Sequence, residues 1–312
     1  MLTGKESIVH HILRADDIQL RPEYVGHSKS YTRCELVGRA VGSVHMGTGM
    51  CALPAGGHVD NHVHSFEESF YVLEGNPTLV LDGRGYTMVP GACGLIPVGV
   101  PHAWVGPAEG TARWIDMLAP QPRPADEGDD TFFLGPIGKF EMKELDIRDP
   151  RSRHLFRMAE TDIDLDHLKK GAGVNAPTVS ASMSTALLAY SGIALKMLVD
   201  QRLDAQLHTM FMIEYQPGGV AQPHDHPMEE SYIILDGEVE AVGDGQRYTL
   251  RAGDVFWTGV GCTHAFYNTS NRTVRWLETQ SPQLPGRHGY RFDRDWDYLK
   301  EKLAAEAAAR RG

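Results

Sequence analysis

The sequence has 312 residues, which at roughly 150 residues per domain predicts two domains. Its 33 glycines and 18 prolines exceed the average composition, so turns are frequent and an all-helical fold is nearly excluded. A net charge of -11 repels phosphate backbones and anionic lipid surfaces, which argues against nucleic acid and membranes as partners.

The N-terminal segment has no continuous apolar core of a signal peptide, and no apolar run approaches the roughly 18 residues of a membrane span. The four cysteines are scattered and form no Cys-x-x-Cys pair, so we expect reduced thiols at Cys34, Cys51, Cys93 and Cys262. These features predict a soluble, cytoplasmic protein.

An internal duplication organises the chain. After an N-terminal arm, residues 54–120 match residues 216–282 without a gap, at a constant offset of 162 positions. A stretch rich in proline and acidic residues, 119–130, separates the two copies and predicts an exposed linker. We therefore predict an arm at 1–45, a first domain at 46–120, a linker and connecting segment at 121–173, a second domain at 174–283 and a helical segment at 284–312.

Within each copy, apolar residues alternate in short runs such as SFYVLEG and SYIILDG, and Asp-Gly pairs follow several of them. This pattern predicts antiparallel strands joined by tight turns. Only the C-terminus has helical spacing, at Trp296, Leu299 and Leu303. One apolar stripe on a short helix needs a surface to cover it, so we expect this helix to pack on a sheet or a partner subunit.

Repeated histidines carry the chemistry. The tripeptides HVH and HDH place two imidazoles two residues apart, on one face of a strand, and a glutamate follows four residues later. Another histidine opens a later strand. The predicted metal ligands are His62, His64, Glu68 and His102 in the first copy, and His224, His226, Glu230 and His264 in the second.

Three imidazoles and one carboxylate suit Mn, Fe, Co, Ni, Cu or Zn better than Mg or Ca, which prefer oxygen ligands. Four such ligands leave about two positions of an octahedral ion open to water, substrate or O₂. An open site indicates catalysis more than a structural role.

Two arginines and several aromatic residues are candidates for substrate binding. Arg113 and Arg275 are candidates for anion binding, because a guanidinium inside a barrel needs a charged partner; a structural salt bridge is the alternative. Tyr232, Phe266 and Trp257 are candidates to line a cavity, although aromatic residues on strands commonly form plain core.

Glu67 and Glu229 precede the predicted ligand glutamates. They alternate away from the ligand face, so we expect them to be solvated rather than catalytic.

These residues resemble the two motifs of the cupin superfamily, G…HxHxxxE…G followed by G…PxG…H…N. The first copy reads GGHVDNHVHSFEESFYVLEG and GACGLIPVGVPHAWVG, and the second reads GGVAQPHDHPMEESYIILDG and GDVFWTGVGCTHAFYN. The first ends at Gly106 instead of asparagine, and the second has Gly259 instead of proline. The resemblance implies an all-β bicupin: two tandem barrels of jelly-roll (RmlC-like) type, each holding a metal, with a short C-terminal helix.

The overall layout is similar to the ureidoglycine aminohydrolase group, whereas the ligand set in both copies is similar to quercetinase-type bicupin dioxygenases and oxalate decarboxylase. These resemblances imply a metal-dependent enzyme acting on a small organic acid, enol or dicarbonyl compound, with a non-haem Fe(II) or Mn(II) dioxygenase favoured. A ureide hydrolase, or a redox-neutral isomerase or decarboxylase, is the alternative. A binding module without turnover is a third possibility.

Glu230 and Glu68 are the expected catalytic carboxylates. We place the main reaction in the second barrel, whose motif is the fuller one because it ends in Asn268. Zn, Ni, Co or Cu could replace Fe(II) or Mn(II) as the cofactor. Because related cupins associate through sheet edges and terminal arms, we expect a homo-oligomer.

Overall fold

The computed structural model describes residues 9–123, 130–163, 191–283, 291–292, 304–305 and 307–309. Helical residues of the α type are found there only at 304–305 and 307–309, and short 3-10 helices lie at Ala15–Asp17, Arg39–Val41, Glu160–Ile163 and Gln201–Leu203. All other regular structure is β-strand, which confirms the all-β class with a short C-terminal helix. The apolar stripe predicted at Trp296, Leu299 and Leu303 lies outside the described residues. Among the described residues, no helix has the length and hydropathy needed to cross a bilayer.

Fifteen strands lie in the described residues up to position 163. They are β1 (His10–Leu13), β2 (Arg21–Pro22), β3 (Ser28–Lys29), β4 (Thr32–Val37), β5 (Gly47–Pro54), β6 (His58–His64), β7 (Glu67–Glu74), β8 (Thr78–Leu81), β9 (Arg84–Thr87), β10 (Ala92–Ile96), β11 (His102–Val105), β12 (Thr111–Ala119), β13 (Thr131–Gly135), β14 (Glu141–Lys143) and β15 (Leu155–Arg157).

Ten more strands build the second half. They are β16 (Ile193–Val199), β17 (Thr209–Tyr215), β18 (Val220–Asp225), β19 (Glu229–Asp236), β20 (Glu238–Gly243), β21 (Gln246–Arg251), β22 (Val255–Thr258), β23 (His264–Tyr267), β24 (Val274–Ser281) and β25 (Arg291–Phe292).

Each half folds into two sheets. In the first barrel, the sheet β15-β10-β7-β12-β5-β4-β2 faces the sheet β13-β6-β11-β8-β9-β14, with β3 added beside β6. In the second barrel, β1-β22-β19-β24-β17-β16 faces β21-β20-β23-β18-β25. The pairs are antiparallel except β14 with β9. The two halves thus have the jelly-roll type of barrel that the resemblance implies.

Asp-Gly turns join two equivalent hairpins, β8 to β9 and β20 to β21. Asp82 and Gly83 have φ of 46° and 72°, and Asp244 and Gly245 have φ of 46° and 79°. Positive φ at both central residues defines the turn that matches the twist of a two-residue hairpin, and Asp-Gly adopts it readily. The predicted turns are therefore present in both barrels.

The segment 1–45, predicted as an arm, is divided between the barrels. Strands β2 and β4 extend the sheet of the first barrel through β5. Strand β1 instead crosses to the second barrel, where His10 pairs with Thr258 and Leu13 with Val255. The second barrel's larger sheet is therefore closed by a strand from the beginning of the chain.

Three apolar cores hold the molecule together. One fills the first barrel around Phe70 and Trp114, and another fills the second around Tyr232 and Trp276. The third joins the barrels, with Tyr71 and Ile115 from the first packed with Met212, Ile233 and Leu277 from the second. Because side chains alternate along a strand, each of the larger sheets contributes one face to its own barrel and the other to this shared core.

Two buried glutamates cross the interface in a reciprocal way, so the prediction that Glu67 and Glu229 are solvated is wrong. Glu67 accepts backbone hydrogen bonds from Gln206 at 2.7 Å and Leu207 at 2.9 Å, and its Oε2 lies 3.2 Å from His208 Nδ1. As expected, both side chains lie on the sheet face opposite the metal ligands. That opposite face is covered by the other barrel and not by solvent.

The second glutamate repeats the arrangement. Glu229 accepts hydrogen bonds from the Ser43 hydroxyl at 2.6 Å, the Val44 amide at 2.8 Å and the His45 amide at 3.2 Å. Each barrel therefore supplies one carboxylate that binds backbone N–H groups of the other. A buried carboxylate is stable only when its oxygens are satisfied in this way.

We expect Glu229→Gln to lower the free energy of unfolding by about 1–3 kcal/mol, because an amide nitrogen replaces one of two acceptors facing N–H and O–H donors. Chemical denaturation in the presence of a chelator measures this effect without a contribution from metal binding. Glu109→Gln, at an exposed position, serves as the matched control. Equal stability of Glu229→Gln and the control would contradict a role for these hydrogen bonds.

Candidate metal centres

The first barrel brings its four predicted ligands together. His62 and His64 lie on one face of β6, Glu68 is the second residue of β7, and His102 opens β11. Their ligand atoms all lie within 4.8 Å of one another, and all four residues are buried. Glu68 Oε2 is 3.0 Å from His64 Nε2 and 3.4 Å from His102 Nε2.

Hydrogen bonds fix which nitrogen of each imidazole faces the centre. His62 Nδ1 lies 2.7 Å from the Asp60 carbonyl, and His102 Nδ1 lies 2.9 Å from the Val100 carbonyl. A carbonyl only accepts, so Nδ1 carries the proton and Nε2 presents a lone pair inward. His64 Nδ1 lies 3.0 Å from the Thr131 hydroxyl.

A buried imidazole nitrogen without a hydrogen-bond partner indicates that these residues fit a metal ion. His102 Nε2 is buried and makes no hydrogen bond. Burial, and then the neighbouring His102 and His64, lower the pKa of His62 to about 2, so its imidazole is neutral. Burial alone would raise the pKa of Glu68, but the adjacent imidazoles of His102 and His64 bring it below its usual range. Neutral imidazoles around one anionic carboxylate are the donor set of a transition-metal ion.

The second barrel gathers its three histidines in the same way. His224 is the second-last residue of β18, His226 directly follows that strand, and His264 opens β23. The ligand atoms of these three histidines lie within 4.8 Å of one another. Their Nδ1 atoms face the carbonyls of Gln222 at 2.7 Å, Met228 at 2.9 Å and Cys262 at 3.0 Å. Burial lowers the pKa of His224 to about 3.

Glu230 borders two of these imidazoles. Its Oε2 lies 2.7 Å from His226 Nε2 and 3.2 Å from His264 Nε2. Burial alone would raise the pKa of Glu230, but His226 and His264 bring it well below its usual range. The predicted carboxylate is therefore at the second centre, in its anionic form.

A strand irregularity recurs beside both centres. Between β6 and β11 the register shifts after the pair His62 and His102, and between β18 and β23 it shifts before the pair His224 and His264. An irregularity of this kind bends a strand and re-aims a side chain. The same device directs a cross-strand histidine pair toward the interior of each barrel.

Two polar groups distinguish the second centre: Tyr232, which was a candidate from the sequence, and Gln280, which sequence reasoning missed. The Tyr232 hydroxyl donates to Glu230 Oε2, and Gln280 Nε2 donates to Glu230 Oε1 at 2.6 Å. The positions equivalent by the 162-residue offset are Phe70 and Leu118, which cannot form these hydrogen bonds. Aligning the two copies shows that Tyr232 replaces Phe70 and Gln280 replaces Leu118. These two differences are the sequence signal that could have identified the polar groups.

A further buried carboxyl lies beside Glu230. Glu278 accepts a hydrogen bond from Trp276 Nε1 at 2.9 Å, and burial together with the charge of Glu230 raises its pKa well above the usual range. Its equivalent, Asp116, is instead paired with Arg33 through two bonds of 2.6 and 2.7 Å. The second centre therefore has a buried carboxyl with a raised pKa nearby, where the first has an ion pair.

A cavity of about 620 Å³ adjoins the first centre. Its walls touch the ligand imidazoles: Phe66 stacks on His64 with ring centroids 4.2 Å apart, and the rings of Tyr24 and His62 are 5.8 Å apart. Arg33 and Phe133 also line it. Tyr24 and Arg33 come from the segment before β5 and Phe133 from β13, so motif reasoning within the repeat could not find them.

The two predicted arginines do not point into the barrels. Arg113 is half-exposed and pairs with Glu74 at 3.1 Å, and Arg275 pairs with Glu214. Each precedes a tryptophan, Trp114 or Trp276, that fills the barrel interior, so alternation turns the arginine outward. The salt-bridge alternative describes both residues, and the expectation of a guanidinium inside the barrel is wrong.

The three predicted aromatic residues have different positions. Tyr232 contacts Glu230, and its oxygen lies 2.9 Å from His264 Nε2. Phe266 packs 4.7 Å from Tyr232 in the core of the second barrel. Trp257 belongs to the core between the barrels, so the prediction that it lines a substrate cavity is wrong. Phe256, its neighbour on β22, takes the interior position instead.

Comparisons with known proteins agree with this architecture. A family model described as a cupin domain matches residues 49–118 and 211–279, one segment in each half. The chain is a bicupin of the cupin superfamily. This confirms the resemblance that the motifs indicate.

Solved structures similar to this bicupin include oxalate decarboxylases. The Lactobacillus farciminis enzyme in its formate complex has a TM-score of 0.62 and 15% identity, over 91% of this chain and 89% of that chain. A variant of the Bacillus subtilis enzyme has a TM-score of 0.62 and 16% identity, over 95% of this chain and 83% of that chain. At these identities the similarity shows the fold alone.

Curated relatives match a shorter stretch. The HTH-type transcriptional regulator PuuR of Escherichia coli (strain K12) is 30% identical over 92 residues, which are 29% of this bicupin and 49% of the regulator. The Shigella flexneri protein of the same name gives the same values. The chain spans about half the length of the curated relatives it matches.

Replacing both His62 and His64 by alanine should remove about one equivalent of bound metal per chain, because half of the first ligand set is lost. The paired change of His224 and His226 should cause an equal loss at the second centre. Elemental analysis of protein purified without added metal measures both, and His154→Ala, outside the centres, is the control. Unchanged metal content after the His62 and His64 changes would show that the first barrel holds none.

Proposed function

We propose that this bicupin is a metal-dependent enzyme acting on a small organic acid, enol or dicarbonyl compound, and that it is a non-haem Fe(II) or Mn(II) dioxygenase. The observation that carries the proposal is the repeated centre: in each barrel three buried imidazoles converge beside one carboxylate, and at the first centre a cavity of about 620 Å³ adjoins them. Ligands that approach from the protein side leave room for a substrate on the other side.

The lining of this cavity suits a ligand with an apolar body and polar ends. Tyr24, Phe66 and Phe133 supply aromatic surface. The charged side chains around them are of both signs: Arg33, Arg39 and Arg123 with Glu23, Glu35 and Asp130. Arg33 is held in place by two hydrogen bonds to Asp116. A divalent transition metal in the centre would polarise a bound oxygen and lower the pKa of an enol.

In the second barrel, the residues around Glu230 support proton transfer. Glu230 Oε2 is the proposed base that takes a proton from the substrate, and the Tyr232 hydroxyl, which donates to the same oxygen, stabilises its anionic form before the transfer. Gln280 holds Oε1 and so orients the carboxylate. These contacts support placing the main reaction in the second barrel, because Glu68 has no equivalent of Tyr232 or Gln280.

The same environment favours a redox-neutral reaction as the second candidate. Glu278, with a raised pKa, and Glu230, with a lowered pKa, would serve as an acid and a base within one buried site. Decarboxylation and ureide hydrolysis can use such a pair and consume no O₂. The oxalate decarboxylase fold is compatible with this candidate.

Oxygen consumption separates the two candidates. The protein is loaded with Fe(II) or Mn(II) and assayed with enols, diketones, catechols, dicarboxylic acids and ureides in an oxygen electrode. Substrate-dependent O₂ uptake supports the dioxygenase, whereas product formation that is equal under anaerobic conditions supports the redox-neutral enzyme. Ligand binding without turnover across the panel would contradict an enzymatic function.

Glu230→Gln should lower turnover by roughly 10² or more, the scale expected when a positioned acid or base is lost. Glu68→Gln is the matched variant in the first barrel and should have the smaller effect. Steady-state rates on the substrate identified above, with metal content measured on the same samples, test this difference. If Glu68→Gln abolishes activity and Glu230→Gln retains full rates, the reaction belongs to the first barrel.

A further inference from the structure

A third group of ligand-type side chains lies outside both centres. His10 comes from β1, Asp244 from the turn between β20 and β21, and Cys262 from the loop before β23, yet their ligand atoms all lie within 4.8 Å of one another. His10 and Cys262 are buried, while the Asp244 side chain is 34% exposed. The group therefore joins three separate segments and opens to solvent on the carboxylate side.

Hydrogen bonds leave a lone pair of His10 directed into this group. The Tyr248 hydroxyl donates to Gln246 Oε1 at 2.7 Å, so its oxygen is free to accept from His10 Nε2, which lies 2.9 Å away. With the proton on Nε2, Nδ1 carries a lone pair. That lone pair faces Asp244 Oδ2 at 3.4 Å. Two acceptors that face each other need a cation or an additional proton between them.

The imidazole is held rigidly in this position. A Cβ atom on Gly243 would lie 2.9 Å from His10 Cγ, so only glycine permits the ring to pack against the backbone there. Asp244 is also fixed, because Oδ1 accepts from the Thr263 amide at 3.2 Å and Oδ2 from the Val9 amide at 3.4 Å. A preorganised imidazole and carboxylate therefore face the thiol of Cys262.

We propose that His10 Nδ1, the Asp244 carboxylate and Cys262 Sγ bind a divalent transition-metal ion such as Zn²⁺ in a third site. Imidazole, carboxylate and thiolate are all ordinary zinc ligands, and a water on the exposed side completes a tetrahedral ion. Binding replaces the thiol proton of Cys262, which is released to solvent. The sulfur ligand separates this site chemically from the two histidine and glutamate centres.

The site would cross-link the beginning of the chain to the second barrel. Strand β1 is held to β22 by backbone pairing, and the metal would add a bond from His10 to two loops of that barrel. The backbone carbonyl of Cys262 also accepts the hydrogen bond from His264 Nδ1. The third ion would therefore fix the loop that orients a ligand of the second centre.

Cobalt substitution tests the proposal on the full chain. Co²⁺ bound to a thiolate gives a near-ultraviolet charge-transfer band, which the histidine and glutamate centres cannot produce because they contain no sulfur. We expect this band on Co²⁺ titration, its loss in Cys262→Ser, and the loss of one metal equivalent in that variant. Cys34→Ser, which changes a cysteine outside the group, should keep both.

A second variant keeps the test valid if Cys262→Ser fails to fold. Asp244→Asn changes a surface side chain and retains a residue type that tolerates the φ of 46° found there. It should weaken Co²⁺ binding at this site at least tenfold, measured by titration of the same band. Absence of the band in the unsubstituted chain, or its persistence in Cys262→Ser, would overturn the proposal and leave a proton shared by His10 and Asp244 as the occupant.

Discussion

The hydrogen bond from each imidazole Nδ1 to a neighbouring oxygen is the constraint on which both centres depend. In four of the six histidines, the acceptor is the carbonyl two residues earlier in the chain, as in Asp60 with His62 and Cys262 with His264. This contact selects one tautomer and turns Nε2 toward the barrel interior. The backbone conformation around each histidine therefore decides where the metal-ligating nitrogens meet. The register shifts beside His62 with His102 and His224 with His264 contribute to this.

The shared core and the centres alternate along the same two strands. In β7, Glu67 reaches across to the second barrel while Glu68 faces the first centre; in β19, Glu229 and Glu230 repeat this arrangement. A change in how the barrels pack would move the strand that carries a ligand. The packing of the two barrels and the geometry of the metal ligands are therefore linked through β7 and β19.

The sequence predicts features that are local or repeated. Two imidazoles on one strand face, the following glutamate and the Asp-Gly turns depend on spacing alone, and the internal repeat identifies them twice. Alternation also predicts that Glu67 points away from the ligand face. It does not say what covers the opposite face, so Glu67 was expected in solvent although it lies against the second barrel.

Long-range contacts account for the other errors and omissions. Trp257 faces the shared core because side chains alternate along β22. Alternation alone does not say which face of β22 lies inside the barrel; that follows only from its pairing with β19 and β1. Tyr24 and Arg33 reach the first cavity from outside the repeat, Tyr24 from the loop between β2 and β3 and Arg33 from β4. Gln280 was missed, although it stands opposite Leu118 at the fixed offset and comparing the two copies would have singled it out.

Strand β1 has a consequence for the order in which the molecule assembles. During synthesis this segment leaves the ribosome before any of the second barrel exists, yet its pairing partner β22 lies near the other end of the sequence. Closing so long a loop carries an entropic cost that is repaid only when both strands are present. The first barrel can fold during translation. Strand β1 cannot pair until β22 has been synthesised, so residues 10–13 are among the last to reach their final position.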